Sequence, residues 1–296
     1  MSGITAYGAY IPRARLRGMA KGERSICNWD EDTITMAVEA GQDCLSALDD
    51  TSVNTLYLAS TTLPFLDRQN SVVVSQALNL GDGLRTMDVA ASQRAATSAL
   101  MAMLESGADG NSLLLASEHR RAKAGSRGEI LWGDGAAALG VGNDDVIADY
   151  LGGETVVDDF VDHYRGQGAE FDYEWEERWI RDEGSLKLVP EAVGRVLEKV
   201  GVQASDVNRF VLATDQGRTP GAVAKAIGIA ADAVADNHIA DVGVAGAAHP
   251  ILLLTEAFEQ AKPGELILLG GFGQGADALL FRASDSIGRK RPGTGF

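Results

Sequence analysis

The amino-acid sequence predicts an α/β fold built from two similar halves. Three observations carry that expectation: apolar β-like runs alternate with segments of helical period, two blocks recur in the same order, and 296 residues with 45% hydrophobic content suffice for a large core. In the first half, strands are expected near Ile4–Ile11, Leu56–Ser60, Arg85–Val89, Ser112–Ser117 and Ala136–Val141. Ile34, Val38, Gly41, Leu45 and Leu48 recur at helical spacing behind Asp32 and Thr33, either of which would cap the helix start. In the second half, Val193, Val196, Leu197 and Val200 form an apolar face behind Pro190, which suits a first helical turn. Strands follow near Phe210–Thr214, Glu265–Gly270 and Ala278–Arg282.

The repetition extends to residues. Ser52-Val53-Asn54-Thr55-Leu56-Tyr57-Leu58-Ala59-Ser60 matches Asp206-Val207-Asn208-Arg209-Phe210-Val211-Leu212-Ala213-Thr214, each after an amphipathic helix. Gly133-Asp134-Gly135-Ala136-Ala137-Ala138-Leu139 matches Gly273-Gln274-Gly275-Ala276-Asp277-Ala278-Leu279, each shortly after a strand. Two matching blocks in one order indicate a duplicated half. The division expected is a first half over 1–150, an acidic and aromatic insertion over 151–184, a second half over 185–283 and a tail or linker over 284–296.

Charge narrows the partners. A net charge of -16, from 42 acids against 26 bases, repels phosphate backbones and anionic lipid, so neither nucleic acid nor a membrane surface is expected. No apolar run is long enough to span a bilayer, and Met1-Ser2-Gly3-Ile4 lacks the character of a signal peptide, so a cytoplasmic protein is expected. Cys27 and Cys44 give neither a disulfide framework nor a metal-ligand spacing and read as small buried or half-buried thiols.

The segment Asp88-Val89-Ala90-Ala91-Ser92-Gln93-Arg94-Ala95-Ala96-Thr97 resembles the one that carries the nucleophilic cysteine in hydroxymethylglutaryl-CoA synthases and other thiolase-superfamily enzymes. So do the opening Gly3–Arg13, Asp30-Glu31-Asp32-Thr33, and Gly271-Phe272-Gly273-Gln274-Gly275-Ala276, in the family's order over residues 1–283. The resemblance implies the duplicated thiolase fold, layered αβαβα in two pseudo-symmetric halves. It also implies where catalytic groups would stand. The cysteine position reads Gln93, and a carboxamide cannot become a thiolate nucleophile. The general-base glutamate would fall at Thr61-Thr62-Leu63-Pro64, the histidine at Ala213 and the asparagine at Val244. The resemblance therefore implies that the Cys-His-Asn-Glu set is replaced and that covalent Claisen or thiolytic chemistry is absent.

Other residues are weighed beside that reading. Ser92 is an alternative oxygen nucleophile, without a base in the matching motifs. His249 resembles the Gly-His-Pro element of degradative thiolases yet falls past the expected position, where a packed histidine at a helix start is favoured. Arg120, Arg121 and Lys123 stand in a basic stretch that would meet the phosphates of coenzyme A or an acidic partner, or simply form an exposed charged loop. In the insertion, Phe171, Trp175 and Trp179 recur every four residues, so a helix would align them, either as an interface anchor or packed onto the insertion's own domain. Arg289–Phe296 has the look of a flexible tail.

By resemblance, the chain is a structural or regulatory subunit of an acyl-CoA-handling complex, pairing with an active thiolase and a small zinc-ribbon OB-fold protein. Arg85–Leu100 would then lie at a homo- or heterodimer interface. The ligand implied is a coenzyme A thioester, with no covalently bound cofactor and no metal. The alternatives are a non-covalent acyl-CoA enzyme, such as a decarboxylase, retro-aldolase or acyl transferase, using Gln93 as an oxyanion donor, and a plain thioester-binding module.

Overall fold

The computed structural model describes residues 2–17, 22–48, 51–107 and 110–288; the tail Arg289–Phe296 lies outside the described residues. The first half contains strands β1 (Gly3–Tyr10), β2 (Ala14–Arg17), β3 (Glu23–Ile26), β4 (Thr55–Ala59), β5 (Arg85–Val89), β6 (Ser112–Glu118) and β7 (Gly135–Gly142). Its helices are α1 (Thr33–Ser46), α2 (Asn70–Ala77), α3 (Ala95–Glu105) and the short α4 (Arg127–Leu131). Strand β8 (Ala148–Val157) leads into a hairpin of β9 (His163–Tyr164) and β10 (Tyr173–Glu174), then a short α5 (Glu177–Trp179). The rest comprises α6 (Leu186–Val200), β11 (Val207–Leu212), α7 (Thr219–Ile227), α8 (His249–Gln260), β12 (Leu266–Phe272) and β13 (Gly275–Ala283).

Nine strands form one sheet in the order β11-β12-β13-β8-β1-β7-β6-β4-β5, and the order displays the duplication. From the middle outwards, β1-β7-β6-β4-β5 repeats as β8-β13-β12-β11, with the same sequence of antiparallel and parallel pairings. The counterpart of β5 is reduced to a single parallel bridge from Phe210 to Val234. Within the sheet the halves meet where Gly3 and Ile4 of β1 pair with Asp149 and Ala148 of β8.

Alternate residues of each strand feed different cores. Leu114, Ala116, Leu139, Ile267, Leu269 and Leu279 pack with Leu100 of α3 and Leu252 of α8 in a central layer. Leu56, Leu58, Leu113 and Leu115 turn the other way onto Met36 of α1 and Val74 of α2. Phe210, Leu266, Leu268 and Leu280 do the same onto Val193 of α6 and Val223 of α7. The result is helix, sheet, helix, sheet, helix: the layering that the resemblance implied. Strands covered on both faces carry no polar alternation, which is why they read as continuous apolar runs. At Gly8 the packing of β1 on α1 is so close that a Cβ would stand 2.4 Å from the Cys44 nitrogen. Asp32 caps α1 through a hydrogen bond from the Thr35 amide, while Thr33 is the first helical residue.

Several expectations need correction. The segment from residue 151 begins inside β8, a ten-residue strand of the main sheet, and not as an insertion. The spacing of Phe171, Trp175 and Trp179 does not make a helix, because Tyr173 and Glu174 pair in extended form with Tyr164 and His163. Pro190 is the fifth residue of α6, not in a new helix start; a π-helical stretch over Ile180–Ser185 runs into the helix from α5. Pro190 removes one early backbone bond there, a tolerable loss next to a turn already widened. Cys44 is buried in α1, and burial raises its thiol to a pKa of about 12.

Candidate functional site

The turn between β5 and α3 is held open and rigid. Ala91 takes the left-handed conformation at φ 70°, a strained position for a residue with a Cβ, and Gln93 follows on the turn. Gly273 approaches so closely that a Cβ would lie 3.2 Å from the Gln93 Cβ. Ser92 Oγ donates to the Gly273 carbonyl at 3.0 Å and accepts from the Arg94 amide at 3.2 Å, so its proton is committed to the turn and not to any base. Behind the turn, buried Asp277 accepts from Arg94 Nη1 at 2.7 Å, Thr97 at 2.8 Å, Ser98 at 2.6 Å and Thr155 at 2.8 Å, fixing the first turn of α3 to β13 and β8. Sequence reasoning gave Asp277 no role.

Gln93 faces a cavity of about 330 Å³ whose wall also includes Ala213, Val244, His163, Asp162 and Glu174. Three of the positions singled out from sequence thus share one cavity. The fourth, Thr61, has its hydroxyl 3.5 Å from Gln93 Nε2. Thr61 brings no carboxylate of its own, but the fold supplies one. Glu118, fully buried at the end of β6, accepts from the Thr61 hydroxyl at 3.0 Å and amide at 3.2 Å, the Thr62 hydroxyl at 2.5 Å and the Ala247 amide at 3.0 Å. It ties the loop after β4 to the segment entering α8.

A histidine also reaches the site, from the β9 strand and not from the second half. His163 Nε2 lies 3.3 Å from Gln93 Nε2, and its Nδ1 lies 2.9 Å from buried Asp162 Oδ2. A carboxylate against Nδ1 favours the tautomer that carries its proton there, so that Nε2 presents a lone pair to the Gln93 amide. The matching motifs themselves supply no histidine or carboxylate beside Gln93; the fold adds His163, Asp162 and Glu118 from outside them. The available signal was a histidine directly after an aspartate in a segment otherwise rich in acids and aromatics. Burial holds the Glu174 carboxyl above the usual carboxylate range; Arg120 opposes that shift and Asp215 adds to it.

The basic stretch divides. Arg120 is not free for a phosphate: its guanidinium stacks 3.6 Å over the Trp132 ring and donates to Asp172 at 2.6 Å, with 7% of the side chain exposed. Arg165 donates to the same carboxylate at 2.8 Å and to the Thr61 carbonyl, which fastens the β9–β10 hairpin over the site. Arg121 is exposed, 3.7 Å from Glu170, and Lys123 is exposed. Phe160 stacks on Trp179 with centroids 6.1 Å apart and leans on Phe272, so part of the aromatic segment packs onto its own chain. Met87 of edge strand β5 is 42% exposed.

His249 starts α8 as a packed residue. Its Nε2 lies 3.0 Å from the Asn237 carbonyl, its Nδ1 accepts from the Ala245 amide, and complete burial lowers its pKa to about 4, so it stays neutral. The turn that delivers Val244 is held by His238, in left-handed conformation at φ 46°. Its Nε2 lies 2.9 Å from Glu256 and its Nδ1 3.1 Å from Asp241. The bond to Glu256, aided by Asp241 and opposed by burial, raises its pKa to about 9. A raised pKa adds stability that is complete below the unfolded value near pH 6.5 and is lost as pH rises through about 9. Unfolding free energy should fall by on the order of 2 kcal/mol across that window, and His238→Gln should flatten the profile in urea titrations.

The layered, duplicated architecture with its site at the β5–α3 turn is the thiolase-superfamily fold. In fold the chain is similar to 3-oxoacyl-ACP synthase III and hydroxymethylglutaryl-CoA synthase. Residues 197–282 match the family described as 3-oxoacyl-[acyl-carrier-protein] synthase III C terminal. The chain is similar to hydroxymethylglutaryl-CoA synthase of Methanococcoides burtonii, at 27% identity covering 98% of this chain and 90% of the relative, and to that of Methanosphaera stadtmanae, at 26% covering 97% and 90%. Among solved structures, 3-oxoacyl-(acyl carrier protein) synthase III from Pseudomonas aeruginosa superposes with a TM-score of 0.84 at 22% identity, covering 97% of this chain and 99% of that one. A hydroxymethylglutaryl-CoA synthase complexed with CoA gives 0.83 at 18% identity, covering 96% and 83%. No helix among the described residues is long and apolar enough to cross a membrane.

Proposed function

We propose that this chain binds an acyl-CoA thioester at the Gln93 cavity and holds it without forming an acyl-enzyme, as the non-nucleophilic subunit of an acyl-CoA-handling assembly. The companions expected are an active thiolase and a small zinc-ribbon OB-fold protein. The observation that carries the reading is the residue at the strained turn. Gln93 presents a carboxamide to the cavity, and neither of the chain's two cysteines, Cys27 and Cys44, lines it. Ser92 has its proton directed into a backbone carbonyl. Covalent acyl transfer needs an ionisable nucleophile beside a base, and the cavity offers the base alone.

A second reading, a non-covalent enzyme, is favoured by the Asp162–His163 pair against Gln93. There His163 would move a proton at a thioester's α-carbon or β-oxygen while the Gln93 amide donates to the thioester oxygen. One experiment separates these. The purified chain is titrated with acetyl-CoA and acetoacetyl-CoA by calorimetry, then followed by intact-mass spectrometry and product analysis. Saturable binding with no added mass and no turnover supports the subunit reading, while turnover lost in His163→Asn moves the assignment to the enzyme. An acyl mass on the chain overturns both.

A further inference from the structure

Three donor groups that are distant in sequence meet in the first half, next to Arg120 of the Gln93 cavity wall. Cys27 follows β3, His119 follows β6 and Asp134 immediately precedes β7, and their ligand atoms all lie within 4.8 Å of one another. Sequence spacing gave no metal-ligand pattern, because the fold alone brings the three together. We infer that Cys27, His119 and Asp134 form a site for a divalent cation of the zinc class, with a fourth position left for water.

The donor set suits that ion. Zinc takes thiolate sulfur, imidazole nitrogen and carboxylate oxygen together, and three protein ligands leave one coordination position open. His119 Nδ1 lies 3.1 Å from Asp134 Oδ1, yet this buried ring nitrogen has no hydrogen-bond partner of acceptable geometry. A buried polar atom left unpaired is costly, and a shared metal ion satisfies both atoms. The other Asp134 oxygen is already engaged, accepting the Cys27 amide at 2.7 Å, which orients Oδ1 inward as an outer-shell contact would. The His119 amide donates to the Thr62 hydroxyl at 3.0 Å, fixing the backbone of that ligand.

The surroundings favour a cation. Glu31 accepts the Asn28 amide at 2.6 Å next to Cys27, and Asp32 caps α1 just beyond it. Arg24 and Arg121 oppose them, but Arg24 directs Nη1 to the Trp132 carbonyl and Arg121 is exposed on the loop. The nearest additional soft atom is Met36 Sδ, 3.6 Å from Cys27 Sγ. The His119 side chain is 38% exposed, which gives an entry path and a place for water.

The test uses the full chain stripped by a chelator and then titrated with Co²⁺, with bound metal measured by mass spectrometry after dialysis. Binding of about one cobalt per chain is expected, with a sulfur-to-cobalt charge-transfer band that Zn²⁺ abolishes by displacement. Cys27→Ser should remove the band, and His119→Gln and Asp134→Asn should each weaken affinity about tenfold or more. Cys44→Ser should change neither. A measurement that needs no variant is protection: Zn²⁺ should slow alkylation of Cys27 in the unmodified chain. The inference is overturned if the unmodified chain retains no cobalt, if the band survives Cys27→Ser, or if Zn²⁺ leaves Cys27 alkylation unchanged.

Discussion

Asp277→Ala is expected to cost about 3–5 kcal/mol of folding stability, read as a shift of the urea midpoint at constant slope. The carboxylate is fully buried and accepts the Thr155 hydroxyl, which otherwise makes a weak contact to Met101 sulfur; it also takes the guanidinium of Arg94. Removing it leaves the Arg94 charge, 14% exposed, without its carboxylate in a region of low polarity. Asp277→Asn keeps one acceptor but aims an amide N–H at groups that already donate, so it should recover less than half of the loss. The damage reaches the site directly. Arg94 Nε also donates to the Gly273 carbonyl at 2.9 Å, the same carbonyl that receives Ser92, so a loosened Arg94 frees the turn that presents Gln93.

Glu118→Ala should be the second largest loss, on the order of 3 kcal/mol, with a fall of about tenfold or more in thioester affinity by calorimetry. Among the described residues no cation pairs with this carboxylate; hydroxyls and amides of Ser60, Thr61, Thr62 and Ala247 hold it. Truncation orphans the Thr61 and Ala247 amides in one step and lets the loop after β4 part from the entry to α8. Glu118→Gln retains an acceptor oxygen and should preserve the fold while weakening the ligand. If Glu118→Ala matches the unmodified chain in both stability and affinity, the carboxylate is not what fastens the cavity wall.

Strand β6 is legible in the sequence because burial on two faces leaves an apolar run, expected at Ser112–Ser117 and found at Ser112–Glu118; β5, expected and found at Arg85–Val89, is a partly exposed edge strand of mixed composition, so burial on two faces does not explain that match. The duplication was legible because the Gly-x-Gly turns stand at the same offset from β7 and β13. Strand β8 was missed. Its Asp149, Tyr150, Gly152, Gly153 and Glu154 break the apolar run, although pairing with β13 along its whole length supplies the strand's stability. The β2–β3 hairpin was missed for a similar reason, since it carries charged residues and stands outside the main sheet. Gln93 was legible from its neighbours in the chain, whereas His163 was not. Its approach to Gln93 across 70 positions depends on the Arg165 and Arg120 bonds to Asp172, contacts with no periodic trace. Glu118 and Arg120 read as part of a solvated charged stretch because type alone does not reveal that one is fully buried and the other stacked on Trp132.

The unequal margins of the main sheet bear on how copies of this chain can grow together. At β5 the outer backbone groups are unpaired by any strand, although Gln69 Nε2 donates to the Thr86 carbonyl, whereas β11, at the opposite margin, is partly covered by the Val234 bridge. Sheet extension from β5 to β5 across a two-fold axis would use the more open margin of each copy and would stop at a pair. Endless stacking would require β5 of one molecule to settle on β11 of the next, where Val234 already occupies part of the row. Loss of that bridge, and not any change at Gln93, would open the row on which such stacking depends.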